Sequence, residues 1–119
     1  MFETNNTILI IDDEIDLCLL MKNYLLQKDF RVCYANTLRE GMKMMEEIVP
    51  DILFLDNNLP DGTGWSESSF FFSVNPNLNL YLMSGYQPSL PDVQGVSYNI
   101  IHKPISFSDL DFLEAKKNQ

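Results

Sequence analysis

Three carboxylates that follow two apolar runs carry the clearest chemical signal in this sequence. Asp12 and Asp13 come directly after residues 8–11 (Ile-Leu-Ile-Ile), and Asp56 comes after residues 52–55 (Ile-Leu-Phe-Leu). Short apolar runs of this kind are typical of strands buried in a parallel sheet, and ligands bind beyond the carboxyl ends of such strands. Carboxylates held a few ångströms apart repel one another, and an oxygen-preferring cation such as Mg²⁺ removes that conflict. The pattern therefore predicts a metal-assisted phosphoryl site.

Strands alternate with helices along the chain, and these elements must position the carboxylates. The residue pattern predicts strands over residues 7–11, 31–35, 51–55, 78–83 and 98–102. It predicts helices over residues 15–28, 38–49, 65–74 and 106–117. This alternation predicts a parallel sheet with helices on both faces. Two prolines and a glycine between residues 87 and 95 leave room for little helix there.

Two of the predicted helices have distinct internal signals. The first carries a wide apolar stripe that consists of Cys18, Leu19, Met21, Leu25 and Leu26. Residues 37–40 (Thr-Leu-Arg-Glu) match a capping box, which marks the start of the second helix. Within that helix, apolar residues recur near helical spacing until Pro50, at Leu38, Met42, Met45 and Val49.

Length and composition limit the classes of protein to consider. The 119 residues, 45% of them hydrophobic, are enough for one domain with its own core, and we assign residues 1–119 to it. The net charge of −9 argues against a nucleic-acid-binding surface. Cys18 and Cys33 have no metal-ligand or redox spacing, so we expect reduced, mostly buried thiols. Without a signal-peptide pattern or a membrane-spanning apolar run, we expect a cytoplasmic protein.

Polar groups stand at four strand ends: the acidic pair, Asp56, Ser84 and Lys103. In this order they resemble the receiver domain of two-component response regulators, and the resemblance spans nearly the whole chain. The matching motifs are Ile-Ile-Asp12-Asp13-Glu14, Leu-Asp56-Asn-Asn-Leu-Pro60-Asp-Gly-Thr-Gly64, Met-Ser84-Gly85 and Lys103-Pro104. The resemblance implies an α/β fold, a flavodoxin-like doubly wound five-stranded parallel sheet of order 2-1-3-4-5. In this chain the fourth helix would be shortened.

The resemblance also implies a function. Asp56 would accept a phosphoryl group from a phosphohistidine on a sensor histidine kinase or a histidine phosphotransfer protein, and the domain would then switch conformation. A carboxylate can act as such a nucleophile. The domain would catalyse only its own phosphorylation and dephosphorylation, so we do not expect an enzyme with an external substrate. Contact with nucleic acid or a membrane is not expected.

The same resemblance implies four residues at the Mg²⁺ site. Asp13 and Asp56 would bind the ion directly, and Asp12 would act through a bound water. The backbone carbonyl of Asn58 would supply another oxygen. Because that ligand belongs to the main chain, it constrains the loop rather than the type of side chain.

The remaining two site residues would act on the phosphoryl group. Lys103 would neutralise charge on its oxygens, together with Mg²⁺. Ser84 would donate a hydrogen bond once the group is in place, and would draw in the loop after the fourth strand. The family implies a cis peptide bond between Lys103 and Pro104.

The chain departs from the family pattern at two places. Ile100 stands where the family usually has an aromatic residue, and the nearest aromatic residues are Tyr98 on the strand and Tyr86 after Ser84. The short segment before the fifth strand alters the face that many receivers use to dimerise. We therefore expect at most a weak homodimer.

Two alternative functions come from other classes. A receiver fold that no longer signals by phosphorylation would serve only as a binding module. The site residues argue against that alternative, whereas Ile100 and the short fourth helix keep it open. A haloacid-dehalogenase-like phosphatase also uses a strand-end aspartate with Mg²⁺, Ser or Thr, and Lys. That family needs a second aspartate two residues after the nucleophile, where this chain has Asn58.

Overall fold

Strands and helices of the computed structural model, which describes residues 6–85 and 95–113, alternate nearly as predicted. The first half of the chain contains β1 (Thr7–Ile11), α1 (Ile15–Leu26), β2 (Arg31–Ala35), α2 (Leu38–Ile48) and β3 (Ile52–Asp56). The second half contains β4 (Asn58–Leu59), β5 (Gly62–Thr63), α3 (Ser68–Val74), β6 (Asn79–Ser84) and β7 (Asn99–His102). Short 3₁₀ helices lie at Trp65–Glu67, before α3, and at Phe107–Leu110, after β7.

The central sheet is parallel and has the strand order β2-β1-β3-β6-β7. The small strands β4 and β5 form a separate antiparallel hairpin. Without that hairpin, the order is the predicted 2-1-3-4-5, so the flavodoxin-like doubly wound arrangement is confirmed. In this order β1 and β3 are neighbours at the centre, and the residues that follow them meet at one edge of the sheet.

Alternate residues of β1 fill two apolar layers, one on each face of the sheet. Ile8 and Ile10 belong to the layer that α1 covers, and Leu9 and Ile11 belong to the layer that α2 and α3 cover. All four side chains are fully buried, with 0% of their surface exposed. Burial on both faces explains why this strand is a continuous apolar run. It also fixes the height at which the run ends and Asp12 begins.

Side chains from two segments cap the start of α2. Thr37 Oγ1 accepts the backbone N–H of Glu40 at 3.1 Å, which confirms the predicted start of the helix. The Asp61 carboxylate accepts the N–H groups of Leu38 at 2.7 Å and Arg39 at 2.9 Å. Because Asp61 lies in the turn between β4 and β5, it ties that hairpin to α2.

The predicted apolar faces of two helices were partly wrong. α1 packs through Cys18, Met21 and Leu25, whereas Leu19 and Leu26 are exposed. Each exposed leucine comes one position after a buried residue. Its side chain is therefore rotated around the helix axis, away from the face that packs on the sheet. In α2, Val49 is exposed and its φ of 51° ends the helix, which therefore stops one residue earlier than predicted.

Several boundaries also differ from the prediction. α1 ends at Leu26 rather than at residue 28, and strands β3, β6 and β7 each begin one residue later than predicted. The segment 57–64, predicted as a loop, contains the hairpin β4–β5. A 3₁₀ turn replaces the first three residues of the helix predicted from Trp65.

The end of the chain agrees with the prediction only in part. The predicted last helix begins as the 3₁₀ helix Phe107–Leu110, and the N–H of Ser106 donates to the Asp109 carboxylate at 2.8 Å. The remainder from residue 114 lies outside the described residues, as do residues 86–94, which include Tyr86 and nearly all of the predicted short fourth helix. No helix of the part that the structure describes is both long and apolar enough to cross a membrane.

Candidate functional site

The carboxyl ends of β1 and β3 lie side by side because the two strands pair in register. Ile11 is paired with Leu55, so Asp12 follows one strand where Asp56 ends the other. The backbone of Asp12 is held on the β2 side as well. Its N–H donates to the carbonyl oxygen of Ala35 at 3.1 Å, and its own carbonyl oxygen accepts the Asn36 side-chain amide at 2.8 Å.

The structure brings the three predicted carboxylates together. One oxygen from each of Asp12, Asp13 and Asp56 lies within 4.8 Å of the other two. Asp12 and Asp56 are buried, whereas Asp13 is exposed at the mouth of the cluster. The cluster therefore has a buried floor and an open side through which an ion or a small anion could enter.

Lys103 points its ammonium group into the same cluster. Lys103 Nζ lies 2.7 Å from Asp12 Oδ2, 2.8 Å from Glu14 Oε2 and 3.6 Å from Asp56 Oδ1. The backbone N–H of Lys103 donates to the carbonyl oxygen of Ser84 at 2.6 Å, which joins the ends of β6 and β7. The Lys103–Pro104 peptide bond is cis, as the resemblance implies.

Burial and charge shift the pKa values of these groups in different directions. Burial, and after it the neighbouring Asp12 carboxylate, raises the pKa of Asp56 to about 6, although Lys103 opposes the rise. Burial also raises the pKa of Asp12 above its ordinary value. Burial alone would lower the pKa of Lys103, but the Asp12 and Glu14 carboxylates raise it, so its ammonium group stays charged.

Ser84 and Asn58 lie on the two elements next to the end of β3: Ser84 ends the strand that pairs with β3, and Asn58 comes two residues after Asp56. Ser84 is the last residue of β6 and is buried, and its hydroxyl donates to the carbonyl oxygen of Gly85 at 3.2 Å. Asn58 begins β4, is exposed, and pairs with Thr63 in the hairpin. Both residues are thus at the predicted edge of the sheet, with Ser84 hydrogen bonded to its own loop.

The comparisons with known proteins agree with this geometry. The family model of the response regulator receiver domain matches residues 8–111 of the chain. The chain belongs to the response regulator receiver domain family. A CheY-like receiver domain from Methylobacillus flagellatus has the same fold, with a TM-score of 0.81 and 20% sequence identity over 93% of this chain and 97% of that one.

Two curated relatives are longer transcriptional regulatory proteins. ZraR of Escherichia coli K12 is 24% identical over 113 residues, which cover 92% of this chain and 26% of ZraR. YxdJ of Bacillus subtilis 168 is 27% identical over 104 residues, which cover 86% of this chain and 45% of YxdJ. The chain thus spans about a quarter of one relative and less than half of the other.

The acidic cluster of this receiver is suited to the divalent cation that its family typically binds. All three clustered ligands are carboxylate oxygens, the donors that Mg²⁺ prefers. Asp12 Oδ2 is buried and accepts no directed hydrogen bond from the described residues, although Lys103 Nζ lies 2.7 Å away as an ion-pair partner. This buried oxygen thus carries a charge that the Lys103 ammonium balances here and that a divalent cation could balance as well.

Sequence reasoning missed four residues that support the receiver site. Glu14 pairs with Lys103, and Asn36 holds the backbone of Asp12. Asn57 Oδ1 accepts the N–H of Trp65 at 3.1 Å, and the Trp65 indole N–H donates to the carbonyl oxygen of Leu55 at 3.1 Å. The position of Glu14 directly after the acidic pair was the one signal available; the other contacts depend on tertiary structure.

Proposed function

We propose that this receiver accepts a phosphoryl group on Asp56 from the phosphohistidine of a sensor histidine kinase or a histidine phosphotransfer protein. The supporting observation is the place of the Asp56 carboxylate, which is 10% exposed and lies 3.6 Å from the Lys103 ammonium. It shares one cluster with two further carboxylates. A nucleophile, an ammonium group and an acidic cation site are the groups that phosphoryl transfer to a carboxylate needs.

The reaction forms one bond and breaks one. An oxygen of Asp56 attacks the phosphorus, the phosphorus–nitrogen bond of the phosphohistidine breaks, and the donor imidazole keeps the electron pair. The product on this chain is an acyl phosphate. Lys103 neutralises negative charge on the phosphoryl oxygens, and it is held in place by the hydrogen bond between its N–H and Ser84.

Asp12, Asp13, Asp56 and the backbone carbonyl of Asn58 would hold Mg²⁺. When bound, the ion supplies positive charge for the phosphoryl oxygens and relieves the repulsion among the carboxylates. Asp13 is the exposed member of the set, and Asp12 is the buried one.

Ser84 carries the proposed response to phosphorylation. Its hydroxyl would leave the carbonyl oxygen of Gly85 and donate to the new phosphoryl group. That exchange would bias the loop after β6 toward one of two conformations. Ile100 is half-buried on β7, where the family usually has an aromatic residue. The movement would therefore proceed without an aromatic side chain at that position.

The test is to incubate the protein with Mg²⁺ and a small phosphodonor such as acetyl phosphate. We expect intact-mass spectrometry to detect one added phosphoryl group on the wild-type protein. We expect none on Asp56→Asn, whose side-chain amide is a poor nucleophile. Asp29→Asn, which changes an acidic residue in the turn after α1, is the matched control and should label like the wild type.

Three results would count against the proposal, each in a different way. Labelling that persists in Asp56→Asn would overturn the assignment of the acceptor. Absence of labelling, together with saturable binding of Mg²⁺, would favour a receiver fold that serves only as a binding module. Repeated turnover of a phosphomonoester would favour the phosphatase alternative.

The proposal covers residues 1–119 as a single receiver domain. The chain matches part of two longer regulators, and we assign the output of the switch to a further segment of such a regulator or to a separate partner. We keep a cytoplasmic location as part of the proposal, because the phosphodonor and Mg²⁺ are available there.

A further inference from the structure

The Lys103 ammonium group lies near three carboxylates in the resting site, but its distances to them are unequal. Lys103 Nζ lies 2.7 Å from Asp12 and 2.8 Å from Glu14, but 3.6 Å from Asp56. The two shorter distances are typical of charge-assisted hydrogen-bonded pairs, and the longest is not. The cation is therefore drawn toward Asp12 and Glu14, away from the acceptor oxygen.

The two closer partners differ in what separation from Lys103 would cost. The Asp12 side chain is fully buried, so it would be left as an unpaired charge in a dry environment. The Glu14 side chain is 60% exposed, so water can replace the ammonium group at small cost. Glu14 is thus the partner that can release Lys103 when another anion arrives.

The backbone places the Glu14 carboxylate where this competition can occur. The N–H of Glu14, the residue before α1, donates to Asp12 Oδ1 at 2.8 Å, which holds the Glu14 backbone against the Asp12 side chain. Its side chain then reaches Lys103 across a separation of 89 positions in the sequence. This contact links the start of α1 to the end of β7.

We propose that Glu14 is a positioning residue that holds the Lys103 ammonium away from Asp56 and thereby slows phosphoryl uptake. The inference rests on the proposed function. A phosphoryl group that arrives on Asp56 must compete with Glu14 for the same ammonium. Removal of the Glu14 charge leaves Lys103 to Asp12 and Asp56 alone.

The same contact has the opposite effect on cation binding. While Glu14 holds Lys103 away from Asp56, the charge of Asp56 is less fully compensated, which favours a divalent cation. Loss of Glu14 lets the ammonium settle on both carboxylates and compete with the cation. Faster phosphoryl uptake combined with weaker Mg²⁺ binding is therefore the signature of this role.

The experiment compares Glu14→Gln with Asp16→Asn, which removes the same charge from an exposed position two residues away. At saturating Mg²⁺ and fixed acetyl phosphate, Glu14→Gln should raise the uptake rate about two- to fivefold, the range of an exposed ion pair. Asp16→Asn should change it by less than about 1.5-fold, because solvent and salt screen its charge. Thermal unfolding of both variants checks that the fold is unchanged.

Mg²⁺ affinity supplies a readout that does not depend on phosphorylation. Trp65 is the only tryptophan, and its indole N–H is bonded to the carbonyl oxygen of Leu55, the residue before Asp56. Its fluorescence is a suitable reporter of Mg²⁺ binding. Glu14→Gln should weaken that binding about two- to fivefold, whereas Asp16→Asn should leave it nearly unchanged.

A second background tests whether Glu14 acts through the lysine. In Lys103→Met, addition of Glu14→Gln should no longer accelerate uptake, because there is no ammonium to release. Acceleration that persists there would overturn the proposal, as would equal effects of Glu14→Gln and Asp16→Asn.

Failure of this inference differs from failure of the proposed function. If the wild type takes up no phosphoryl group, the proposed function fails, and the Mg²⁺ affinities of the two variants still decide the role of Glu14. If the wild type is labelled on Asp56 but Glu14→Gln behaves like Asp16→Asn, only the inference fails.

Discussion

The ends of β1 and β3 contribute only negative charge to the site, whereas the ends of β6 and β7 contribute a hydroxyl and an ammonium group. We call the first pair, with Asp12, Asp13 and Asp56, the acidic half, and the second pair, with Ser84 and Lys103, the responding half. The acidic half lies at the ends of two neighbouring inner strands. Hydrogen bonds from Asn36 and Trp65 hold the backbone there. The responding half includes the edge strand β7. Its two ends are joined by the hydrogen bond from the backbone N–H of Lys103 to the carbonyl oxygen of Ser84.

This difference suggests a division of labour. The acidic half holds mutually repelling carboxylates close together, because Asp12 and Asp56 stand at the ends of two paired strands whose apolar residues are fully buried. The responding half supplies groups whose partners can change: the Ser84 hydroxyl is bonded only to its own loop among the described contacts, and Lys103 has three acidic neighbours. Stored repulsion on one side and exchangeable partners on the other suit a switch that a phosphoryl group operates.

The largest expected effect comes from Lys103→Met, which removes the ammonium that links the two halves. We expect phosphoryl uptake to slow by about 100-fold, the scale of losing one preorganised charge-stabilising group. Uptake is measured by intact mass at fixed phosphodonor and Mg²⁺. Lys43→Met, on the exposed face of α2, removes the same charge and should stay near the wild-type rate. Equal uptake rates in Lys103→Met and Lys43→Met would contradict the claim that the Lys103 ammonium links the two halves.

Glycine substitutions test how tightly each half is packed. A Cβ on Gly64 would overlap the carbonyl oxygen of Asp56 and lie 2.9 Å from Leu55 Cδ1, whereas a Cβ on Gly85 would meet nothing within 4 Å among the described atoms. We expect Gly64→Ala to lower the free energy of unfolding by about 1–3 kcal/mol, as overpacking does. Gly85→Ala should change it by about 0.5 kcal/mol or less. Urea unfolding of the two variants would contradict the comparison if their losses were equal.

Asp56→Asn tests whether repulsion among the carboxylates destabilises the folded protein when no cation is bound. Because burial and Asp12 raise the pKa of Asp56 from 3.8 to about 6, ionisation of this group disfavours the folded state. Its contribution to stability is fully present below 3.8 and is lost as the pH rises through about 6. The interval between these values corresponds to roughly 3 kcal/mol, which relaxation of the site reduces, so we expect Asp56→Asn to gain about 1–2 kcal/mol at neutral pH.

The measurement for this prediction is urea unfolding in the presence of a chelator, at neutral pH and at about pH 4.5. The gain from Asp56→Asn should be larger at neutral pH, where the wild-type carboxylate is charged. Asp13→Asn is the control, because Asp13 is the exposed member of the cluster and should give a smaller gain. A loss of stability in Asp56→Asn, or the same gain at both pH values, would contradict stored repulsion.

The smallest effect is expected from Asp61→Asn, at the hairpin that follows the acceptor strand. The N–H groups of Arg39 and Leu38 lower the pKa of Asp61, so the ionised side chain favours the folded state. That contribution is present above the ordinary pKa of 3.8 and is lost only as the pH falls below it. We expect a small decrease in melting temperature at neutral pH that disappears in acid. Glu46→Gln, on the exposed face of α2, should not show this pH dependence.

The sequence was sufficient for the acidic half, and less so for its surroundings. β1 and β3 are apolar on both faces, which made them unmistakable and placed Asp12 and Asp56 at their ends. The hairpin β4–β5 has strands of two residues, too short for any periodicity. A wide apolar stripe does not show which of its residues contact the sheet. The prediction that Leu19 is buried was therefore wrong.

Long-range pairings were the other part that sequence could not supply. The contact between Glu14 and Lys103 depends on how the β1–α1 connection and the end of β7 approach one another in space. Both residues were visible in the matching motifs, but neither motif states which carboxylate the ammonium prefers. That preference is set by burial, which only the folded chain determines.

The most direct test of the account is to map the phosphoryl group within the labelled protein. After incubation with acetyl phosphate and Mg²⁺, borohydride reduces an aspartyl phosphate to homoserine, which peptide mass spectrometry can locate. We predict homoserine at position 56, dependent on Mg²⁺ and absent when the phosphodonor is omitted. Homoserine at another aspartate, or labelling at 56 that is unaffected by removal of Mg²⁺, would contradict the convergence of acceptor, cation site and lysine described above.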